Sequence, residues 1–172
     1  MTRKGLWVIN IVVLVSLLGC MAMIYSLSAK PANFMLSCSS ELFNHEVGVA
    51  DSDHYLLVDL VSKDGLAQIN YRYYDLQGNS AGTISMAGKV NKVDTQRQMF
   101  DIAVTTKQEN VGLKGQEKPE HYEYLSYISG IHLNKNGQHS LSVQVLERDD
   151  TKDYAIVLFQ PSNTVCGCRL VH

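Results

Sequence analysis

The sequence predicts a mainly β protein, an antiparallel domain carried on a single N-terminal transmembrane helix. Three observations predict it. The first is an uncharged stretch from Gly5 to Ala29 preceded by Arg3 and Lys4; the second is a period-two alternation of apolar and polar residues over most of the remaining chain. The third is a set of glycine-bearing turns spaced between those alternating runs.

The N-terminal stretch comes first. About 20 apolar residues span the hydrocarbon of a bilayer as a helix, and Leu6–Leu27 supplies that length. Arg3 and Lys4 on one flank, against Lys30 alone on the other, predict residues 1–5 in the cytoplasm and 6–28 in the membrane. Residues 29–33 then form a linker, and 34–172 a β domain outside the cytoplasm. Two rivals remain open. Ser26-Leu27-Ser28-Ala29 imitates a signal-peptide cleavage site, although the apolar run before it exceeds the usual length. Leu17-Leu18-Gly19-Cys20 looks like a lipobox, but Met21-Ala22-Met23-Ile24-Tyr25 continues the apolar run where a lipoprotein carries a polar tether. The preferred reading of Cys20 is a small apolar residue within a membrane helix.

Beyond residue 30 lie all 17 acidic residues but only 12 of the 15 basic ones, a formal charge near −5. Such a domain lacks the cationic footprint of a nucleic-acid binder. About 140 residues suffice for one domain with its own core. Cys38 near the start of that domain and Cys166 and Cys168 near its end predict a structural disulfide in an oxidising compartment. Cys38 pairs with Cys168 or Cys166, with Cys168 favoured because strand ends near the anchor should be adjacent.

Each strand follows from its alternation. Phe34, Leu36 and Cys38 share one face, as do Leu56, Val58 and Leu60, with Asp59 on the other. Ala67, Ile69, Tyr71 and Tyr73 form the next, then Ile84, Met86, Gly88 and Val90, then Phe100, Ile102 and Val104. Leu141, Val143 and Val145 follow. Tyr154–Phe159 is apolar on both faces and predicts a central or doubly covered strand, and Thr164–Val171 carries both late cysteines on one face. Lys63-Asp64-Gly65, Leu76-Gln77-Gly78-Asn79 and Lys135-Asn136-Gly137 predict tight hairpins, and Asp149-Asp150-Thr151-Lys152 another polar turn. Lys107–Glu120 reads as a mobile loop, and a helical turn is expected about Glu41-Leu42-Phe43. Seven or eight antiparallel strands with few helices predict a calyx-like, lipocalin-like barrel or else a two-layer sandwich.

Catalytic and metal signatures are not evident. The six histidines are scattered without a His-x-His or His-x-x-x-His pair, so a zinc site on one element has no support. Asp51-Ser52-Asp53-His54 lacks the glycine and distal glutamate of a calcium loop. No nucleophile elbow or phosphate-cradling loop occurs, so the expectation is no enzyme, cofactor or metal. Tyrosines are more suggestive: Tyr71, Tyr73 and Tyr74 on one strand, then Tyr122, Tyr124 and Tyr127. Tyrosine offers an apolar body with a polar handle, so lining of a ligand or partner site competes with plain β-propensity. The candidate ligand-binding face is Ile69, Tyr71, Tyr73, Ile84, Met86, Phe100 and Ile102.

The basic start, one apolar helix, Phe34–Cys38, the Tyr71-Arg72-Tyr73-Tyr74-Asp75-Leu76-Gln77-Gly78-Asn79 hairpin and the terminal Cys166-Gly167-Cys168-Arg169 together resemble the FidL-like inner-membrane proteins of enteric bacteria. That group is similar to the small accessory subunits of ToxR-type transmembrane regulators, such as ToxS and VtrC. The resemblance implies a single-pass protein of the bacterial inner membrane with a periplasmic calyx-like domain. It also implies a heterodimer with a co-encoded transmembrane winged-helix regulator, and a bile-salt or lipid-like ligand. The alternative function is a standalone envelope lipoprotein or small-molecule carrier anchored through Cys20.

Overall fold

A computed structural model describes residues 3–28, 33–42, 54–94, 98–112 and 118–171. The chain divides into two units, Met1–Pro31 and Ala32–His172. The first holds helix α1, Arg3–Ser28, of 26 residues. Its side chains are described at Trp7 and from 9 to 23, and every one of these is exposed. Within the described residues no helix is long and apolar enough to cross a membrane; a run such as 9–23 rises only about 22 Å, against a hydrocarbon layer of about 30 Å.

The second unit is a closed barrel of eight antiparallel strands in chain order, so the calyx-like alternative holds over the sandwich. The strands are β1 Phe34–Leu42, β2 His54–Lys63, β3 Leu66–Asp75, β4 Ser80–Asp94, β5 Met99–Val111, β6 His139–Asp149, β7 Tyr154–Gln160 and β8 Thr164–Val171. Helix α2, Glu120–Asn136, interrupts the meander between β5 and β6. Alternation sets the inward face: Leu36 and Cys38, Leu56, Val58 and Leu60, and Ile69, Tyr71 and Tyr73 are all buried, and the later strands repeat the pattern.

Turn chemistry works as the sequence predicts at two hairpins. Asp64 and Gly65 take φ of 51° and 78° between β2 and β3, and Gly78 takes 84° between β3 and β4. Asn33 Oδ1 accepts the Asp64 N–H at 2.9 Å, fastening the start of the barrel to its first hairpin. Closure also needs bends. The β4–β5 register shifts at Ala87/Gly88, where a Cβ on Gly88 would lie 2.0 Å from the Ala103 carbonyl oxygen. Glycine there lets two backbones approach as the sheet turns.

Four expectations are corrected. Lys107–Val111 is not loop but the end of β5, paired with Gly82–Met86 of β4; both faces are polar, so no alternation marked it. Residues 113–117 of that predicted loop lie outside the described residues. Glu41 and Leu42 belong to β1 rather than to a helical turn, held by pairing with Tyr55 and His54, while 43–53 lie outside the described residues. Gly137 is left-handed, with φ 68°, but it caps α2: its N–H donates to the Leu133 carbonyl, so Lys135-Asn136-Gly137 is a helix end and not a hairpin. β7 is interior to the sheet but not doubly covered. Ala155, Val157 and Phe159 are buried, whereas Tyr154 is exposed and Ile156 and Leu158 are half-buried.

The disulfide joins Cys38 to Cys168, cross-strand partners on β1 and β8 separated by 130 residues. Cys166 is a buried free thiol one inward position away. Removing the bond with Cys38→Ser and Cys168→Ser together should lower unfolding free energy by about 2–5 kcal/mol, read from urea denaturation. Peptide mapping of the Cys166→Ser protein should still recover the Cys38–Cys168 linkage, and a Cys38–Cys166 peptide in the wild type would contradict the assignment.

Candidate functional site at the helix-capped end

α2 crosses one end of the barrel because its inward face carries Tyr122, Leu125, Ser129 and His132 at helical spacing. Tyr122 and Leu125 are buried, and Tyr122 meets Tyr73 edge-on with ring centroids 5.3 Å apart. Gly82 on β4 makes room for that ring; a Cβ there would come within 2.9 Å of it. The middle of the helix is clipped to β5. Lys107 Nζ donates to the Ser126 carbonyl at 2.8 Å and pairs with Glu109 at 2.6 Å, and Ser126 Oγ donates to the same carboxylate at 2.7 Å.

At the N-terminal end of α2, His121 links the interior to the β7–β8 turn. Its Nδ1 lies 2.9 Å from the Tyr73 hydroxyl and its Nε2 2.6 Å from Thr164 Oγ1. Thr164 Oγ1 donates to Ser162 Oγ, which donates to the Phe159 carbonyl. Direction follows from that final acceptor. Thr164 has given its proton away, so His121 donates from Nε2 and accepts from Tyr73 at Nδ1. One neutral tautomer satisfies the whole chain. Burial holds the His121 imidazolium in disfavour, lowering its pKa to about 4. A Thr–His contact resembles a nucleophile beside its base, but here Nε2 carries the proton and cannot take one from Thr164. The arrangement is a structural relay.

Near the C-terminal end, His132 stacks on His139 of β6 with Nδ1 atoms 2.9 Å apart. His139 is fully buried, and its Nε2 has no hydrogen-bond partner among the described residues. A bare lone pair is cheaper to bury there than an N–H, so His139 donates from Nδ1 and His132 accepts. Burial first, then His132 and Lys107, lowers the His139 pKa to about 4.

The predicted ligand-binding residues separate into two groups. Ile69, Tyr71, Tyr73, Ile84, Met86 and Ile102 all point inward and are buried. Their own bulk occupies the lumen at that level, as expected for eight strands. Phe100 is only half-buried, at the opposite end, where its ring lies 4.6 Å from Phe34. Of the two tyrosine groups, Tyr71, Tyr73 and Tyr122 converge, whereas Tyr74 faces outward and Tyr124 and Tyr127 are exposed. The Tyr71 hydroxyl is buried without a partner among the described residues, beside the Cys166 thiol, and burial pushes both pKa values up, that of Cys166 to about 11.

Sequence reasoning missed His121, His132 and His139, since spacing along the chain hides pairs formed between elements. The signal that could have found them is the Tyr122, Leu125, Ser129 and His132 stripe, which marks α2 and its inward face. The opposite end of the barrel holds a cleft of about 480 Å³. Phe34, Met35, Val61 and Leu170 form its apolar wall, with Lys63 and with Arg148, which pairs with Asp150 at 2.5 Å, also lining it.

No family model matches the chain. No curated protein matches it.

Tyr73→Phe removes the donor to His121 Nδ1 while keeping the ring. It should cost about 1–3 kcal/mol of stability at neutral pH, measured by urea denaturation, and leave the disulfide intact. An unchanged midpoint would show that the relay contributes nothing to holding α2.

Proposed function

We propose that this protein is a membrane-anchored periplasmic accessory or sensor subunit of the bacterial inner membrane, which pairs with and stabilises a ToxR-like transmembrane regulator. The observation that carries the reading is the pairing of a 26-residue helix with a closed, disulfide-bonded barrel in one chain. In the sequence Leu6, Val8, Ile24 and Leu27 flank 9–23 and bring the apolar run to spanning length. A disulfide suits the periplasm rather than the cytoplasm. The FidL-like resemblance supplies the partner: a co-encoded protein with a cytoplasmic winged-helix domain and one membrane span. The acidic barrel itself leaves DNA binding to that partner.

The ligand in this reading is an anionic amphiphile, of bile-salt or lipid type. The 480 Å³ cleft supports it with an apolar wall for the body and Lys63 and Arg148 for the head group. Such a ligand changes the regulator only through a difference in its affinity for the two regulatory states. The lipoprotein reading requires cleavage before Cys20, which lies inside α1.

A periplasm-active reporter fused after His172 should be active, with the protein remaining full length. Mass spectrometry that finds Cys20 as a lipidated first residue would replace the anchored reading with the lipoprotein one. Addition of a bile salt at about 100 times its dissociation constant should stabilise the folded protein by about 2.7 kcal/mol, visible as a thermal shift that Lys63→Glu with Arg148→Glu abolishes. Co-purification of the regulator from membranes completes the test; no shift and no partner would sink the sensor reading.

A further inference from the structure

α2 is held to the barrel by a histidine contact towards each of its ends, and in each contact one imidazole nitrogen acts as an unprotonated acceptor. At one end His121 accepts from Tyr73 and donates to Thr164; at the other His132 accepts from the buried His139. We propose that α2 is a proton-operated lid, seated while His121 and the His132–His139 pair are neutral and released when they are protonated, uncovering the tyrosine-lined interior. The inference goes beyond the sensor reading and stands without it, because it needs neither ligand nor partner.

Each contact refuses a second proton for a geometric reason. A proton on His121 Nδ1 would point at the Tyr73 hydroxyl and displace the hydrogen that Tyr73 now donates there, so the bond as it stands is broken. The His132–His139 pair holds one hydrogen between two facing Nδ1 atoms, and a second would set two N–H groups against each other at 2.9 Å. The remaining site, His139 Nε2, is buried without an acceptor among the described residues, so charging it adds a bare donor there.

The surroundings offer these cations little. β3 presents Tyr71 and Tyr73, β8 presents Cys166, and β4 presents Gly82, Ile84 and Met86, none of which is charged at neutral pH. β5 contributes Lys107, which repels a charged His139, with Glu109 already committed to Lys107 and Ser126. Lys118 sits over the Tyr122 ring, while Glu120, Glu123 and Lys135 lie on exposed positions of α2. Burial pushes the Glu109 pKa up, but the hydrogen bonds from Lys107 and Ser126 outweigh it and leave it lowered.

Both imidazoles bind protons less well in the seated state, near 4, than the ordinary value of 6.5 regained on release. Seating is fully favoured above about 6.5, weakens as pH falls below that value, and has lost this contribution near 4.

The test is hydrogen exchange of the full-length protein in detergent, at about pH 7.5 and about pH 5, scaled to intrinsic exchange. Peptides spanning 118–138 should lose about tenfold or more of their protection at the lower pH, while β2 and β3 keep theirs. The His121→Gln and His132→Gln double variant replaces two of the three imidazoles with groups that do not titrate, so its α2 should lose less protection at the lower pH than the wild type, with His139 alone left to protonate. Should that variant misfold, His132→Gln alone, at a half-buried position, should reduce the acid-induced loss. Unchanged protection of α2 in the wild type, equal loss in the glutamine variants, or simultaneous loss across β2 and β3 would each overturn the proposal.

Discussion

Closure between β1 and β8 is the constraint on which the rest of the molecule depends. The other seven strand pairings join neighbours in sequence, whereas this one joins the two ends of the barrel. It is also short: five residue pairs run from Met35↔Val171 to Ser39↔Gly167, against nine between β1 and β2. The pairing with the greatest loop-closure cost therefore has few hydrogen bonds to meet it. Cys38 and Cys168 are the fourth of these five pairs and convert the seam into a covalent ring. Without closure, β1 and β8 would each present an unpaired edge, which exposes a sheet to association with other chains.

Once the ring is closed, its size dictates what fills it. Eight strands leave an interior that side chains just occupy, and the inward positions meet that demand with Leu56, Leu60, Ile69, Ile84, Met86, Leu141 and Phe159. Tyr71 and Tyr73 reach further and bring hydroxyls that need partners. Tyr73 finds one in His121, and Tyr71 has none among the described residues. That difference explains why α2 interrupts the meander: the capped end carries polar groups that strands alone leave unsatisfied, and the helix brings the imidazole that meets one of them.

Strands were legible because one side of each faces an apolar core, and period two reports that asymmetry residue by residue. The disulfide was legible to within one choice, since Cys166 and Cys168 share the inward face and only register decides which meets Cys38. α2 escaped for a physical reason. Its buried stripe is narrow and contains Ser129 and His132 beside Tyr122 and Leu125, so apolar periodicity is weak, and Tyr122, Tyr124 and Tyr127 imitate an aromatic strand. The end of β5 escaped because both its faces are polar. The histidine contacts are beyond local pattern altogether: His121 meets Tyr73 from 48 residues away, through a closure that no short window contains.

The two ends of the barrel consequently differ in what they can do. A ligand entering the lumen would have to displace buried side chains such as Tyr71 and Met86, and each expulsion forfeits burial worth about 1.5–3 kcal/mol. The cleft beside Phe34 and Leu170 asks for no such exchange, because its space already exists and Lys63 and Arg148 line it. An amphiphile is therefore accommodated at least cost outside the packed layer. Access to the lumen instead requires moving α2, the one described element over that end whose contacts towards both its ends run through imidazoles. The helix-capped end and the end with the cleft thus lie at opposite ends of one ring, which the Cys38–Cys168 seam keeps closed.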